Sequence, residues 1–277
     1  MLNTAHEVEA DEIEEGVGGE ARSHEVDLVL ADVQLRLDYG LSQTLDLTVI
    51  LPLRRVSMDA EFFDAQDRRL PGFQSIHHRD EVIAGLGDLA LEAGLHLGGG
   101  LTLRLGVSLP TGGVEPDPYA LGGLGLRHQH IFFGSGTVDP RLGVAGGWRV
   151  AGLELRAVAE ATGAVYENDD GYRAGWNGFG QGAVATSLGL EPFVFVARVG
   201  LFHALPSTWN GRSAENTGRT DLLPGLAVEV PWGDWFFSVE ASRPINLVAE
   251  GGQLDAPLVA GLAVGVRLPV IPPQSSP

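Results

Sequence analysis

Residues 85–110 read GLGDLALEAGLHLGGGLTLRLGVSLP, and their alternation decides the fold. Leu89, Leu91, Ala93, Leu95 and Leu97 fall on one face, with Asp88, Ala90, Glu92, Gly94 and His96 on the other. After Gly98-Gly99-Gly100 the pattern resumes, with Leu101, Leu103, Leu105, Val107 and Leu109 against Thr102, Arg104, Gly106 and Ser108. A period of two is the pleat of a β-strand. Three glycines between two such runs predict a tight hairpin, because glycine accepts the positive φ that such turns need. One face of this hairpin is aliphatic; the other carries Asp, Glu and Arg.

The unit repeats in both directions. Strand 26–39 sets Val29, Ala31, Val33, Leu35, Leu37 and Tyr39 against Asp32, Gln34, Arg36 and Asp38. The next sets Leu45, Leu47, Val49, Leu51 and Leu53 against Asp46 and Thr48. Further strands are predicted over 137–148, 153–165, 179–190, 193–205, 220–230, 235–245 and 257–270. Connections alternate: long loops at 57–82, 111–132, 166–177, 206–219 and 246–255, short turns at 40–43, 98–100, 150–152, 191–192 and 231–234. An up-and-down sheet then carries its short turns at one end and its long loops at the other, as outer-membrane barrels do. Aromatic residues gather at strand ends. Tyr39, Trp148, Phe193, Trp232 and Trp235 lie near short turns, and Phe132, Phe133, Tyr166, Trp176, Phe202 and Trp209 near long loops. Two such belts correspond to interfacial girdles. A soluble barrel or sandwich shows the same alternation; the loop asymmetry, the belts and the strand lengths favour the membrane. Eleven strands are legible, and the first and last run the same way. Bacterial barrels have even strand numbers, so a twelfth is expected before Asp27, within 5–22.

Composition bounds the rest. The chain has 277 residues and no cysteine, which excludes disulfides, Cys-ligated zinc and a thiol nucleophile. A formal charge of −18 argues against nucleic acid as a partner. No run approaches the ~20 apolar residues of a membrane helix. The opening MLNTAHEVEADEIEEGVGGE lacks the basic and apolar regions of a signal peptide, so either the numbering starts at the mature protein or the true start lies upstream. Residues 7–20 hold seven acidic groups and no basic one, the composition of a solvated, flexible arm, or of a metal-attracting arm with His6. The expected organisation is an acidic arm over 1–23 that includes a first strand, a barrel over 24–270 and a proline-rich tail over 271–277.

The segments GLGDLALEAGLHL (85–97) and LRLGVSLPTGG (103–113) together resemble the signature hairpin of an outer-membrane transporter-like family that includes the phenol-degradation meta-pathway (MetA-type) proteins. IHHRDEVIAGLGD (76–88) and HQHIFFGSGTVDPRLG (128–143) resemble a subgroup of it. The resemblance covers residues 24–270. It implies a barrel in the bacterial outer membrane that passes or binds small molecules, without naming a ligand. The chain departs from the family in its acidic arm, the absent signal peptide and the lack of a terminal aromatic residue.

Alternation assigns a lumen face carrying Arg36, Asp38, Asp46, Asp88, Glu92, Arg104, Asp139, Arg141, Glu154, Arg156, Glu160, Arg198, Glu229, Glu240 and Arg267, with Asp32 and Asp221 in the same rows. Unpaired charges in a narrow interior are costly, so these groups are expected to pair across strands, either as a salt-bridged plug or as the wall of a pore. If water passes, the surplus of carboxylates favours cations. His77-His78 and His128-Gln129-His130 sit in neighbouring long loops. With Asp80 and Glu81 they form a candidate zinc or copper site, or a hydrogen-bonded loop brace. Catalysis is not expected: no serine accompanies His203 in the sequence, and Ser135 lacks the G-x-S-x-G elbow. The GLG at 85–87 precedes a strand, so it is no nucleotide loop.

These readings converge on an all-β chain: an up-and-down antiparallel transmembrane barrel of about 12 strands in the bacterial outer membrane. Its function is expected to be passage of small solutes through a charged lumen gated by the long loops. The alternative is a closed barrel that binds zinc, copper or a partner protein through its histidine loops. The lipid bilayer and a small solute are the expected partners, and no cofactor is required.

Overall fold

The computed structural model describes residues 2–7, 21–73, 75–76, 78–214, 217–249 and 256–268. The central hairpin is as the alternation predicts. β5 (Leu89–Leu97) and β6 (Leu101–Leu109) pair antiparallel around Gly98–Gly100, where Gly99 and Gly100 take φ of 76° and 81°. In chain order the other strands are β1 (Leu2–Glu7), β2 (Ala21–Gly40), β3 (Leu45–Asp64), β4 (Glu81–Leu86), β7 (Asp139–Val150), β8 (Leu153–Thr162) and β9 (Tyr172–Arg173). They continue with β10 (Asn177–Thr186), β11 (Val194–Ala204), β12 (Thr208–Trp209), β13 (Arg212–Ser213), β14 (Arg219–Trp232), β15 (Trp235–Ser242), β16 (Ile245–Ala249) and β17 (Val259–Val266).

One antiparallel sheet holds them in the order β1-β2-β3-β5-β6-β7-β8-β10-β11-β14-β15-β17. β4 and β16 prolong β5 and β15 past a break. Each break faces proline, which has no N–H for the ladder. Pro52 on β3 lies opposite Gly87, whose N–H still reaches the Pro52 carbonyl at 2.8 Å. Pro224 on β14 lies opposite Arg243-Pro244. β9, β12 and β13 form a separate small sheet among the long loops. The short helix α1 (Pro118–Gly122) lies in the loop after β6 and is capped by the Asp117 carboxylate.

The two faces differ as expected. Leu37, Leu105, Trp232 and Leu262 are 63%, 64%, 71% and 75% exposed on the aliphatic face. Asp46, Thr48, Ser238 and Asp221 are buried on the other, concave one. Glycine on the concave face makes room for charge: a Cβ at Gly94 would lie 2.5 Å from Asp46 Oδ2.

Several expectations are corrected. β2 and β3 are each 20 residues long, so the loop expected from 57 starts after Asp64. The reason is an apolar patch on the concave side at the long-loop end, where Val26, Leu28, Val56 and Met58 are buried together with Phe133. Phe132, Phe133 and Trp209 are therefore not girdle residues but loop interior. Phe202 pairs with the buried Asp221, on the concave rather than the lipid face. Residues 166–177 and 206–219 carry β9, β12 and β13, and the expected loop 246–255 starts with β16. The strand expected to 190 stops at Thr186. The first strand, sought within 5–22, is β1, and it pairs only with Ser23–Leu28 of β2. The acidic run from Val8 to Glu20 and the tail lie outside the described residues.

A closed barrel is not what the hydrogen bonds draw. Among the described residues β2 pairs with β3 throughout, but no strand pairs with its other edge from Val29 to Gly40 or with the outer edge of β17. Those two stretches instead flank a cleft of about 2080 Å³.

Candidate functional site: the charged concave face

The concave face is a ladder of ion pairs, several of which skip strands. Asp46 on β3 accepts from Arg104 of β6 at 3.1 Å and lies 2.6 Å from His96 Nε2 of β5. Arg104 also donates to Thr48 at 2.9 Å, and Thr48 donates to Asp38 at 2.5 Å. Arg36 clasps Asp38 through two hydrogen bonds of 2.8 and 2.9 Å. Higher up, Arg141 donates to Glu92 at 2.8 Å across β6, Arg54 to Asp32 at 3.0 Å, and Arg219 to Asp221 at 2.6 Å. Arg198 meets Glu240 across β14.

The longest reach is that of Arg156. On β8, it donates to Glu154 at 2.6 Å and to Glu229 of β14 at 2.7 Å, over β10 and β11. Side chains on a flat sheet do not bridge two intervening strands, so the face must be curved. Small residues along this stretch, among them Ala157, Ala183 and Ala227, leave a chamber of about 470 Å³ at the short-turn end. Glu154, Arg156, Arg198, Glu229 and Glu240 line it. Replacing Arg156 by methionine keeps the length and leaves two carboxylates without their shared cation. In this wet, partly screened site the expected loss is about 1–2 kcal/mol, read as a lower urea midpoint in detergent.

Not every residue of the expected lumen row is wall. Asp88 points to the loop after β6, accepting from Gly112 N at 2.9 Å and from Ser135 N and Oγ at 2.8 and 3.0 Å. Asp139 is buried and accepts from Thr137 Oγ1 at 2.5 Å. Glu160 and Arg267 join no ion pair among the described residues. The same loop builds the mouth. His128 N donates to Ile76 O at 3.2 Å, Arg79 donates to His128 O at 3.3 Å, and Gln129 meets Glu81. Phe132 stands edge-on to Tyr172 at 4.8 Å and Trp209 at 6.2 Å. Burial pushes the Tyr172 phenol above its ordinary value, so it stays neutral and shares a hydrogen bond with Ser207 Oγ at 3.2 Å.

The sheet has the fold of an outer membrane channel. A crystal structure of such a channel from Pseudomonas putida F1 aligns over 95% of this chain and 90% of that one, at a TM-score of 0.56 and 13% identity. No family model matches the chain, and neither does any curated protein. The likeness therefore stands on backbone architecture.

Four histidines at the long-loop end form two pairs. His24 and His78 have ring centroids 4.4 Å apart, and His128 and His130 5.3 Å. His77 lies outside the described residues. Among the described residues no three His, Asp or Glu side chains gather as metal ligands. Sequence reasoning missed the role of the loop after β6; the unpaired-looking aromatic dipeptide Phe132-Phe133 was its one signal.

Proposed function

We propose that the chain is a bacterial outer-membrane β-barrel of twelve strands, with short periplasmic turns and long outer loops, that passes small solutes through its charged lumen. The observation that carries this reading is the division of the sheet. Its convex face exposes a continuous aliphatic surface suited to lipid, while its concave face holds paired charges around a chamber. The resemblance to the transporter-like family and the fold shared with an outer membrane channel agree with it. Each arginine of the chamber is already bonded to a carboxylate, and three carboxylates face two arginines, so a solute meets a mostly paired wall with a small negative surplus, which favours passage of cations.

The test is in two steps. Folded protein in detergent should run faster on a gel unboiled than boiled, and planar bilayers containing it should conduct ions in discrete steps. A protein that stays monodisperse without detergent and shows no mobility shift would overturn the membrane reading. A barrel that shifts but never conducts would overturn the channel.

A further inference from the structure

We infer that residues 112–135 form a strap across the long-loop mouth, hinged on one wall and latched on the other, and that release of the latch opens the lumen. The inference rests on the channel reading above.

Two adjacent residues make the case. Phe133 is buried against Val26 and Leu28 of β2 and Val56 and Met58 of β3. Phe132 packs on Tyr172 and Trp209, in the loops that follow β8 and β11. From β3 to β11 the sheet takes six strand steps, roughly 29 Å if flat. Neighbouring Cα atoms are about 3.8 Å apart. One dipeptide meets the β2–β3 wall and the loop sheet of the other side only if the segment lies across the mouth.

The two attachments are unequal. On the β2–β4 side, Asp88 holds both stems of the strap through three hydrogen bonds, and Phe133 is buried. On the far side, among the described residues, the Phe132 contacts and one side-chain bond, Asn210 Nδ2 to Asp117 Oδ2 at 3.1 Å, hold the tip, and Asn168 Nδ2 donates to Ser135 O at 3.1 Å at the stem. The weaker side yields first, so the near wall is the hinge. The chamber lies along β6 to β15, on the latch side of the lumen and at its short-turn end. Opening on that side connects the chamber to the long-loop mouth.

The chain has no cysteine, so a reversible lock is clean to build. Asp117→Cys with Asn210→Cys would be bridged by a short, reducible bis-thiosulfonate and studied in planar bilayers. Conductance should fall at least about five-fold on bridging and return with reductant. Asn210→Gly removes the latch bond and suits the φ of 51° at that position. It should raise the open fraction about five-fold, the worth of one hydrogen bond. Conductance indifferent to the bridge would overturn the strap and leave the channel standing. Silence in wild type, bridged and Asn210→Gly protein, all showing the folded gel shift, would overturn the channel and, with it, the strap's role.

Discussion

Asp46→Ala should lower the unfolding free energy by about 3–5 kcal/mol, because it strips the partner from a largely buried cation. The Asp46 side chain is 10% exposed and Arg104 23%. Removing the carboxylate leaves Arg104 with Thr48 Oγ1 alone and frees His96 Nε2 from its 2.6 Å contact. Gly94, kept small by the carboxylate it faces, would then border a cavity. The measurement is urea unfolding in detergent micelles, followed by loss of the heat-modifiable band. Asp46→Ala combined with Arg104→Met should regain most of the loss, since neither charge is then stranded. A single variant within about 1 kcal/mol of wild type would show that the pair is solvated and adds nothing.

The second large effect is local. Asp88→Ala removes the acceptor shared by Gly112 and Ser135, and so unties both stems of the mouth loop. Hydrogen bonds to a charged acceptor contribute about 1.5–3 kcal/mol each, and partial exposure reduces the set to about 2–4 kcal/mol. Trypsin reads this directly, because Arg127 is exposed in that loop. Cleavage there should accelerate by roughly 30-fold or more, at 1.4 kcal/mol per factor of ten, while the sheet stays resistant. An unchanged rate would mean that Phe133 and the Glu81–Gln129 contact hold the loop without Asp88.

The sequence is most legible where both faces of a strand are strict. The β5–β6 hairpin falls on its expected bounds because aliphatic and polar residues never exchange places there. Legibility fails where a side chain's partner is far along the chain. SMDAEFFD (57–64) reads as a polar loop, yet Met58 and Phe62 turn inward and are buried. The residue that covers Met58 is Phe133, about as distant in sequence as Glu229 is from Arg156. No local period contains such information. Phe132 and Trp209 mislead for a related reason: an aromatic near a strand end looks the same whether it meets lipid or another loop. The charged rows were legible as rows, but alternation does not reveal which members meet across the curve. Asp88 shares its row with Glu92 and serves a loop instead.

The cleft between β2 and β17 has a consequence in simple parity. At the short-turn end, among the described residues, eleven strands stand side by side, because β1 meets β2 only over Ser23–Leu28 at the long-loop end. With an odd count in an up-and-down sheet the first and last strands run the same way. β2 and β17 both descend from the long loops, so sliding them together would make a parallel seam, with slanted bonds unlike every other ladder here. Alternate peptide groups from Val29 to Gly40 point into that seam, and in the membrane proposed above hydrocarbon would offer them nothing to bond. Closure of the barrel proposed above would need an ascending strand between them, its outward residues apolar beside Val33 and Leu37, its inward residues polar beside Gln34 and Arg36.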